Sequence, residues 1–374
     1  MKPVRLTWID YARGIAIILV LYRHVFEGIK ESGLSVEHYM YLEYANIFFF
    51  SFRMPLFFIV SGIFVSASLQ KRGIQKFIAT KAKTILYPYF LWACLQITLQ
   101  IIFSKYTNGH STAQNYLYLL YNPREVDQFW YLYALFNVSV LYALVKQRLR
   151  ISANWNILIG IVMFFLSALA HQQHVNLGFV NDILHYYMFF AIGDAISRLM
   201  MNRNNFKYFE SWKTLLLMLI PFIAAQIYFL KVNIDHANIE KYEFVEYFQP
   251  AMYVLIGLTG CAFIINLTFV LQKTKLKLLE WLPVLGRHSL YIYVSHVIAF
   301  AAVRIFLRKV FHIDNVPVLL LAGIISGLIV PVLLYKLSVK WNMRWWFTLE
   351  DEDAAEKKTK NYSKPVPLNI ENNG

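Results

Sequence analysis

The sequence predicts an all-α fold, a polytopic membrane bundle of about ten transmembrane helices with both termini cytoplasmic. Three observations predict it. Of 374 residues, 58% are apolar and only 16% charged, whereas a soluble domain is about a quarter charged and needs that polar surface to coat its core. Apolar runs long enough to cross hydrocarbon, about 20 residues as a helix, recur along the chain. The segments joining them alternate between basic and acidic.

The runs centre on Ile18, Ile59, Ala93, Asn137, Val162, Phe189, Pro221, Leu258, Val297 and Ile325. The start, "MKPVR" before an apolar run, has the outline of a signal peptide. No small-residue cleavage site follows and polar residues interrupt the run, so an uncleaved first span is expected. One set of connecting segments is basic: Lys2 and Arg5; Lys71 to Lys83; Lys146, Arg148 and Arg150; Arg198 to Lys213; Lys273 to Arg287. The alternate set is acidic, with Glu27, Glu31, Glu37 and Glu43, and later Asp235, Glu240, Glu243 and Glu246. Basic residues collect on the cytoplasmic side, so strict alternation predicts an even number of spans.

"KWNMRWWF" reads as an interfacial anchor of Trp and basic residues. Beyond it the chain is too poor in apolar residues to pack. The expected organisation is a transmembrane domain over residues 1–348 and a disordered cytoplasmic tail over 349–374, without repeats or an inserted soluble domain. The formal charge of +14 lies in short clusters between apolar runs rather than in a basic stripe with exposed aromatics, so lipid and not nucleic acid is the expected partner. Cys94 and Cys261 both fall inside apolar runs and imply no disulfide framework.

Within the first span, "IDYARGIAIILVLYRH" carries charge where charge is costly. Arg13 and His24 are eleven positions apart, close to three helical turns, and Asp10 lies one turn before Arg13. One face therefore runs from an ion pair at the cytoplasmic mouth to an imidazole about 16 Å further along the axis. Intramembrane ionisable groups usually face a cavity and carry function; snorkelling boundary residues are the other reading. Arg23 falls off this face and reads as an outer-boundary anchor.

Other stretches bear on chemistry. "FFFSFRMPLFFIVSGIF" places Arg53 beside Pro55 in a strongly apolar run, where a guanidinium calls for an anion or carboxylate unless it marks a boundary. "LGRHSLYIYVSH" stacks Ser289, Tyr293 and His296 on one helical face. His296 then lies about 15 Å in from Gly286, at a depth comparable to His24, where it shares a cavity with it or satisfies an interhelical contact. Lys81 and Lys83 precede the third span and hold a phosphorylated ligand, bind lipid headgroups or set topology. Trp130, in "DQFWYLYALF", belongs to an aromatic belt, with sugar stacking as a second use. "HQQH", with His171, His174, Asp182 and His185, has only generic metal-ligand spacing, and no metal is expected. Walker A, GxGxxG and GxSxG patterns do not occur, against an ATPase, a nucleotide-fold enzyme or an α/β-hydrolase insert.

The opening "WIDYARGIAIILVLYRH" resembles the signature of the acyltransferase-3 family of integral-membrane acyltransferases, in particular its fucose 4-O-acetylase-like group. The family hallmark, an arginine and a histidine separated by ten residues on the first helix, is matched by Arg13 and His24. "FRMPLFFIVSG", "YPYF" at Tyr87 to Phe90, "FWYLYALF" at Phe129 to Phe136 and "LGRHSLYIYVSH" at Leu285 to His296 follow in the family's order. Two positions depart from it. Arg53 stands where many members carry a histidine, and Lys81 and Lys83 stand where some carry arginines, whose bidentate fork lysine lacks.

The resemblance implies an O-acyltransferase in the plasma membrane of a bacterium. Such an enzyme moves an acyl group, commonly acetyl from acetyl-CoA, to a hydroxyl of a cell-surface carbohydrate or lipid-linked sugar. On that reading Asp10 holds Arg13, which positions the donor, and His24 is the general base. Arg53 and Trp130 bind substrate, Ser289, Tyr293 and His296 serve the acceptor or the oxyanion, and Lys81 and Lys83 serve the acyl-CoA. The rival expectation is a transporter or flippase for a carbohydrate, which also uses buried charge, a broken helix and aromatics; the inverted repeat common in transporters is not evident.

Overall fold

A computed structural model describes residues 6–108, 111–240, 242–274 and 276–350. The expected disordered tail lies outside the described residues from 351 onward. Among the described residues there is no strand. The helices, in chain order, are α1 (Thr7–Lys30), α2 (Met40–Phe48), α3 (Phe50–Gly62), α4 (Val65–Lys81), α5 (Tyr87–Ile102), α6 (Asn115–Tyr121), α7 (Trp130–Arg148) and α8 (Ala153–Gln172). They continue as α9 (Phe179–Met201), α10 (Phe206–Phe209), α11 (Trp212–Asp235), α12 (Phe244–Phe248), α13 (Pro250–Thr274), α14 (Trp281–Arg287), α15 (Ser289–Val310) and α16 (Val316–Lys340).

Local chemistry explains several boundaries. Ser152, Ser211 and Asn315 precede α8, α11 and α16, and each side chain accepts a hydrogen bond from a backbone N–H of the first turn. That satisfies one of the donors a helix start leaves unpaired. Gly73 (φ 67°) breaks α4 in a backbone conformation that costs a side-chain-bearing residue. A π turn over Ala82–Leu86 then leads into Tyr87-Pro88.

Among the described residues, eight helical stretches are long and apolar enough to cross a membrane: Glu37–Gly62, Val65–Ile102, Asp127–Arg148, Ala153–Gln172, Trp212–Asp235, Pro250–Thr274, Ser289–Val310 and Val316–Lys340. Helices α1 and α9, of 24 and 23 residues, are as long. They stay outside that set because their composition is more polar: α1 carries Asp10, Arg13, Arg23, Glu27 and Lys30, and α9 carries Asp182, His185 and Asp194.

Burial runs opposite to that of a soluble protein. On α11, Leu216, Leu217 and Ile220 are 61%, 72% and 71% exposed, whereas Arg53, Asp182, His185, Glu246 and His296 are buried. An apolar exterior around a polar interior is what lipid as solvent selects. Small residues bring helices close enough to fix this interior. Gly62 of α3 and Gly193 of α9 lie backbone to backbone, and a Cβ on either would collide with the other helix's carbonyl oxygen. At the start of α1, Gly14 and Asp10 are covered by Leu282 and Gly286 of α14. Helix α1 is thus held centrally, against α3, α13, α14, α15 and α16.

Candidate functional site

The charged face of α1 opens onto a cavity of about 1060 Å³. Its walls come from the later turns of α1 (Val20 to Glu31), the last turns of α5, Phe50, Arg53 and Met54 of α3, the segment Arg124 to Trp130, the acidic segment before α13, and α15 from Tyr293 onward. All of these lie toward the end of the bundle that carries the acidic connecting segments. Exposed Phe103 and Tyr106 mark its mouth there.

His24 projects into this cavity. Among the described residues its imidazole takes no hydrogen bond, and its closest described ring partner is His296 of α15, with centroids 5.2 Å apart and planes inclined by 53°. His296 is fully buried behind it. Its Nδ1 lies 3.0 Å from the Ile292 carbonyl and 2.8 Å from that of Tyr293, while Nε2 has no partner. A nitrogen facing two carbonyls carries the proton, so Nε2 holds the lone pair.

Arg53 lines the same cavity, 2% exposed. The expected carboxylate is not its partner. Its Nη1 donates to the Leu19 carbonyl at 3.1 Å and to Asn46 Oδ1 at 3.2 Å, and its guanidinium lies 5.2 Å from the Phe50 ring centre. Because Leu19 is on α1, Arg53 ties α3 to the turn of α1 before His24. Trp130 lines the cavity too, flanked by Tyr186 (5.5 Å, stacked) and by the Arg124 guanidinium at 4.5 Å.

Tyr293 completes the floor. Its hydroxyl donates to the Gln128 carbonyl, and its ring stands edge-on to Tyr131 at 5.2 Å. Tyr131 in turn lies within electrostatic reach of Arg13, which does not line the cavity. Two tyrosines from α7 and α15 therefore stand between Arg13 and His24, although both charges share one face of α1. Asp10, buried beneath Gly286 of α14, Ser289 at the start of α15, Lys81 and Lys83 also lie outside the lining, toward the basic end. The Lys83 carbonyl accepts the Leu349 N–H at 3.2 Å, anchoring the chain after α16.

Three participants escaped the sequence reading. Arg23, which spacing put off the functional face, lines the cavity with its guanidinium 4.7 Å from the Phe50 ring centre. Glu27 lines it one turn later, accepting from Asn46 Nδ2 at 3.0 Å and Tyr242 hydroxyl at 3.2 Å. Its i+3 and i+4 spacing from His24 and Arg23 is the signal that pointed to it. Arg124 pairs with the buried Asp182 at 2.7 Å; an arginine in an otherwise acidic connecting segment was the clue.

In the "HQQH" region the imidazoles lie against carboxylates: His171 Nε2 is 2.8 Å from Glu240 and His185 Nε2 is 3.0 Å from Glu246. Among the described residues no three His, Cys, Asp or Glu side chains group as a metal site. Cys94 and Cys261 are free thiols.

Fold and cavity together define a multi-pass helical membrane protein with a chamber lined by apolar and ionisable side chains. The chain belongs to the acyltransferase-3 family: the family described as an acyltransferase domain matches residues 6–336. It is similar to nodulation protein NolL of Sinorhizobium fredii, 23% identical over 254 residues, which cover 68% of this chain and 64% of that protein. It is similar also to nodulation protein NolL of Mesorhizobium japonicum, 24% identical over 223 residues, which cover 59% of this chain and 55% of that protein. The chain thus spans less than two thirds of the length of these relatives. No solved structure matches it.

Proposed function

We propose that this protein is an O-acyltransferase that moves an acyl group, acetyl in the first instance, from acyl-CoA to a hydroxyl of a cell-surface carbohydrate or lipid-linked sugar. The observation that carries the reading is His24, an imidazole without a hydrogen bond facing a large chamber lined by aromatics, amides and carboxylates. The eight apolar stretches together with α1 and α9 make ten crossings, an even number that returns both termini to the basic, cytoplasmic side. The transmembrane domain is residues 1–348, the tail from 349 is cytoplasmic, and the membrane is the plasma membrane of a bacterium.

The chemistry follows from the two ends of α1. Acyl-CoA is too polyanionic to cross, so its phosphates stay at the basic end, where Arg13, steadied by Asp10, and Lys81 and Lys83 supply positive charge. The uncharged pantetheine arm passes the tyrosines and brings the thioester to the chamber. The acceptor enters from the acidic-loop side and packs near Trp130 and Tyr293. His24 takes the hydroxyl proton as the oxygen attacks the thioester carbonyl, a role that suits imidazole because its ordinary pKa, about 6.5, lies near the working pH. The C–S bond breaks, the CoA thiolate recovers the proton from His24, and R–OH plus acyl-S-CoA becomes R–O-acyl plus CoA-SH. Arg53, on the chamber wall, binds substrate.

The test is labelled acetyl transfer from acetyl-CoA to envelope carbohydrate by the wild type and by His24→Ala at matched membrane expression. Label that appears with the wild type and vanishes with the variant supports the reading. A wild type that transfers no label but moves a lipid-linked sugar across liposomes would replace it with transport.

A further inference from the structure

The structure assigns His296 a role beyond shaping the acceptor site: we propose that it is the positioning residue for His24, holding the imidazole in the tautomer and orientation that expose a lone pair to the acceptor. The assignment rests on the acyltransfer reading of His24.

Three features carry it. The first is the fixed protonation of His296, whose Nδ1 faces the carbonyls of Ile292 and Tyr293 at 3.0 and 2.8 Å, so the proton stays there and Nε2 is an acceptor. The second is that Nε2 is buried and unpartnered, a state that costs about 1–3 kcal/mol and persists where it serves a purpose. The third is the neighbour. Rings with centroids 5.2 Å apart leave room for facing edge nitrogens to meet at about 3 Å, the N–H···N range, once His24 turns an edge toward Nε2.

His296 is the acceptor in ring contact with His24. Arg23 and Arg53 are both within electrostatic reach but are donors only. Glu27 accepts from Asn46 and Tyr242 on one oxygen and, among the described residues, makes no hydrogen bond to His24. A small rotation of His24, which no hydrogen bond opposes, lets one ring nitrogen donate to His296 and leaves the other as the base. The same bond shares the positive charge once His24 has taken the acceptor proton, which matters between two guanidiniums. Here a neutral histidine does what a carboxylate does in the serine-protease triad, orienting the base without itself receiving the proton.

The experiment uses the full chain in proteoliposomes with acetyl-CoA, reading kcat and KM from CoA release in the presence of envelope carbohydrate. His296→Phe keeps a packed ring without an acceptor; His296→Gln restores an acceptor oxygen. We expect His296→Phe to lower kcat by about tenfold to hundredfold, the usual cost of losing a group that orients a ligand, at unchanged KM for acetyl-CoA. His296→Gln should recover most of it. Side-chain nitrogen NMR of labelled histidine should show one neutral His24 tautomer in the wild type and a mixture in His296→Phe, whatever the activity. Equal losses in both variants, a loss confined to KM, or an unchanged tautomer overturn the assignment. A wild type that releases no CoA overturns the acyltransfer reading itself, and with it the role assigned here.

Discussion

Truncating Arg13 and truncating His24 should impair the enzyme in different ways, although both lie on one face of one helix. Their separation along α1 is about 16 Å, and Tyr131 and Tyr293 stand between them. On the proposed function, Arg13 therefore meets the donor's anionic or carbonyl oxygens but not the reacting carbon. Losing one charge-assisted hydrogen bond costs about 1.5–3 kcal/mol, a rise of roughly tenfold to hundredfold in KM for acetyl-CoA at 1.4 kcal/mol per decade. Because that contact is made equally in the ground and transition states, kcat should change little. His24→Ala should do the opposite and lower kcat by about a hundredfold to ten-thousandfold, the usual worth of a general base, with KM for acetyl-CoA unchanged. Initial rates of CoA release in proteoliposomes, at saturating acceptor and varied acetyl-CoA, separate the two. If Arg13→Ala lowers kcat at constant KM, the arginine reaches the reacting centre and the separation by the two tyrosines is not what governs the reaction.

Gly62→Ala should lower the melting temperature in detergent, because the new Cβ meets the Phe190 carbonyl and overpacking costs about 1–3 kcal/mol; an unchanged melting curve would mean that α3 and α9 separate freely. Glu243, outside the spans, has its carboxyl pushed above the usual range by burial and then by the neighbouring Glu246. As pH rises past the unfolded carboxylate value of about 4.3, the unfolded chain loses this proton before the folded one does, and stability falls until the folded group also ionises. Glu243→Gln should thus melt higher than wild type at pH 7, with the difference gone below about pH 4; thermal melts at the two pH values check this. Finally, Glu27, Glu31, Asp127, Glu240, Glu243 and Glu246 outnumber Arg23, Arg53, Arg124 and Arg304 in the chamber lining, and an excess of like charge disfavours an acidic ligand. Fractionated labelled envelope glycans should carry acetyl in neutral or amino sugars; label confined to acidic glycans would contradict that.

Much of this molecule was legible in the sequence. Apolar content at helical spacing, with charge in the connecting segments, determines which stretches are helices and which faces meet lipid. Each of the expected span centres, Ile18 to Ile325, falls within a helix. The cost of charge in hydrocarbon singled out His24, Arg53 and His296 before any packing was known; the structure sets His24 and Arg53 on the wall of one chamber, with His296 buried against His24. The same reasoning could not tell that Arg53 would find Asn46 and a carbonyl of α1 in place of a carboxylate, because a helix's periodicity says nothing about what another helix offers it.

Only the tertiary structure decided which charges share a compartment. The period of 3.6 residues fixes the angle of a side chain about its own helix axis, and on that basis Arg13 and His24 formed one face while Arg23 stood aside. Rotation and depth relative to neighbouring helices are set by packing, here by the close seating of α14 on Asp10 and Gly14 and by the ring of helices around α1. That packing inserts Tyr131 and Tyr293 between Arg13 and His24, turns Arg23 and Glu27 into chamber walls, and carries Arg124 in from a connecting segment.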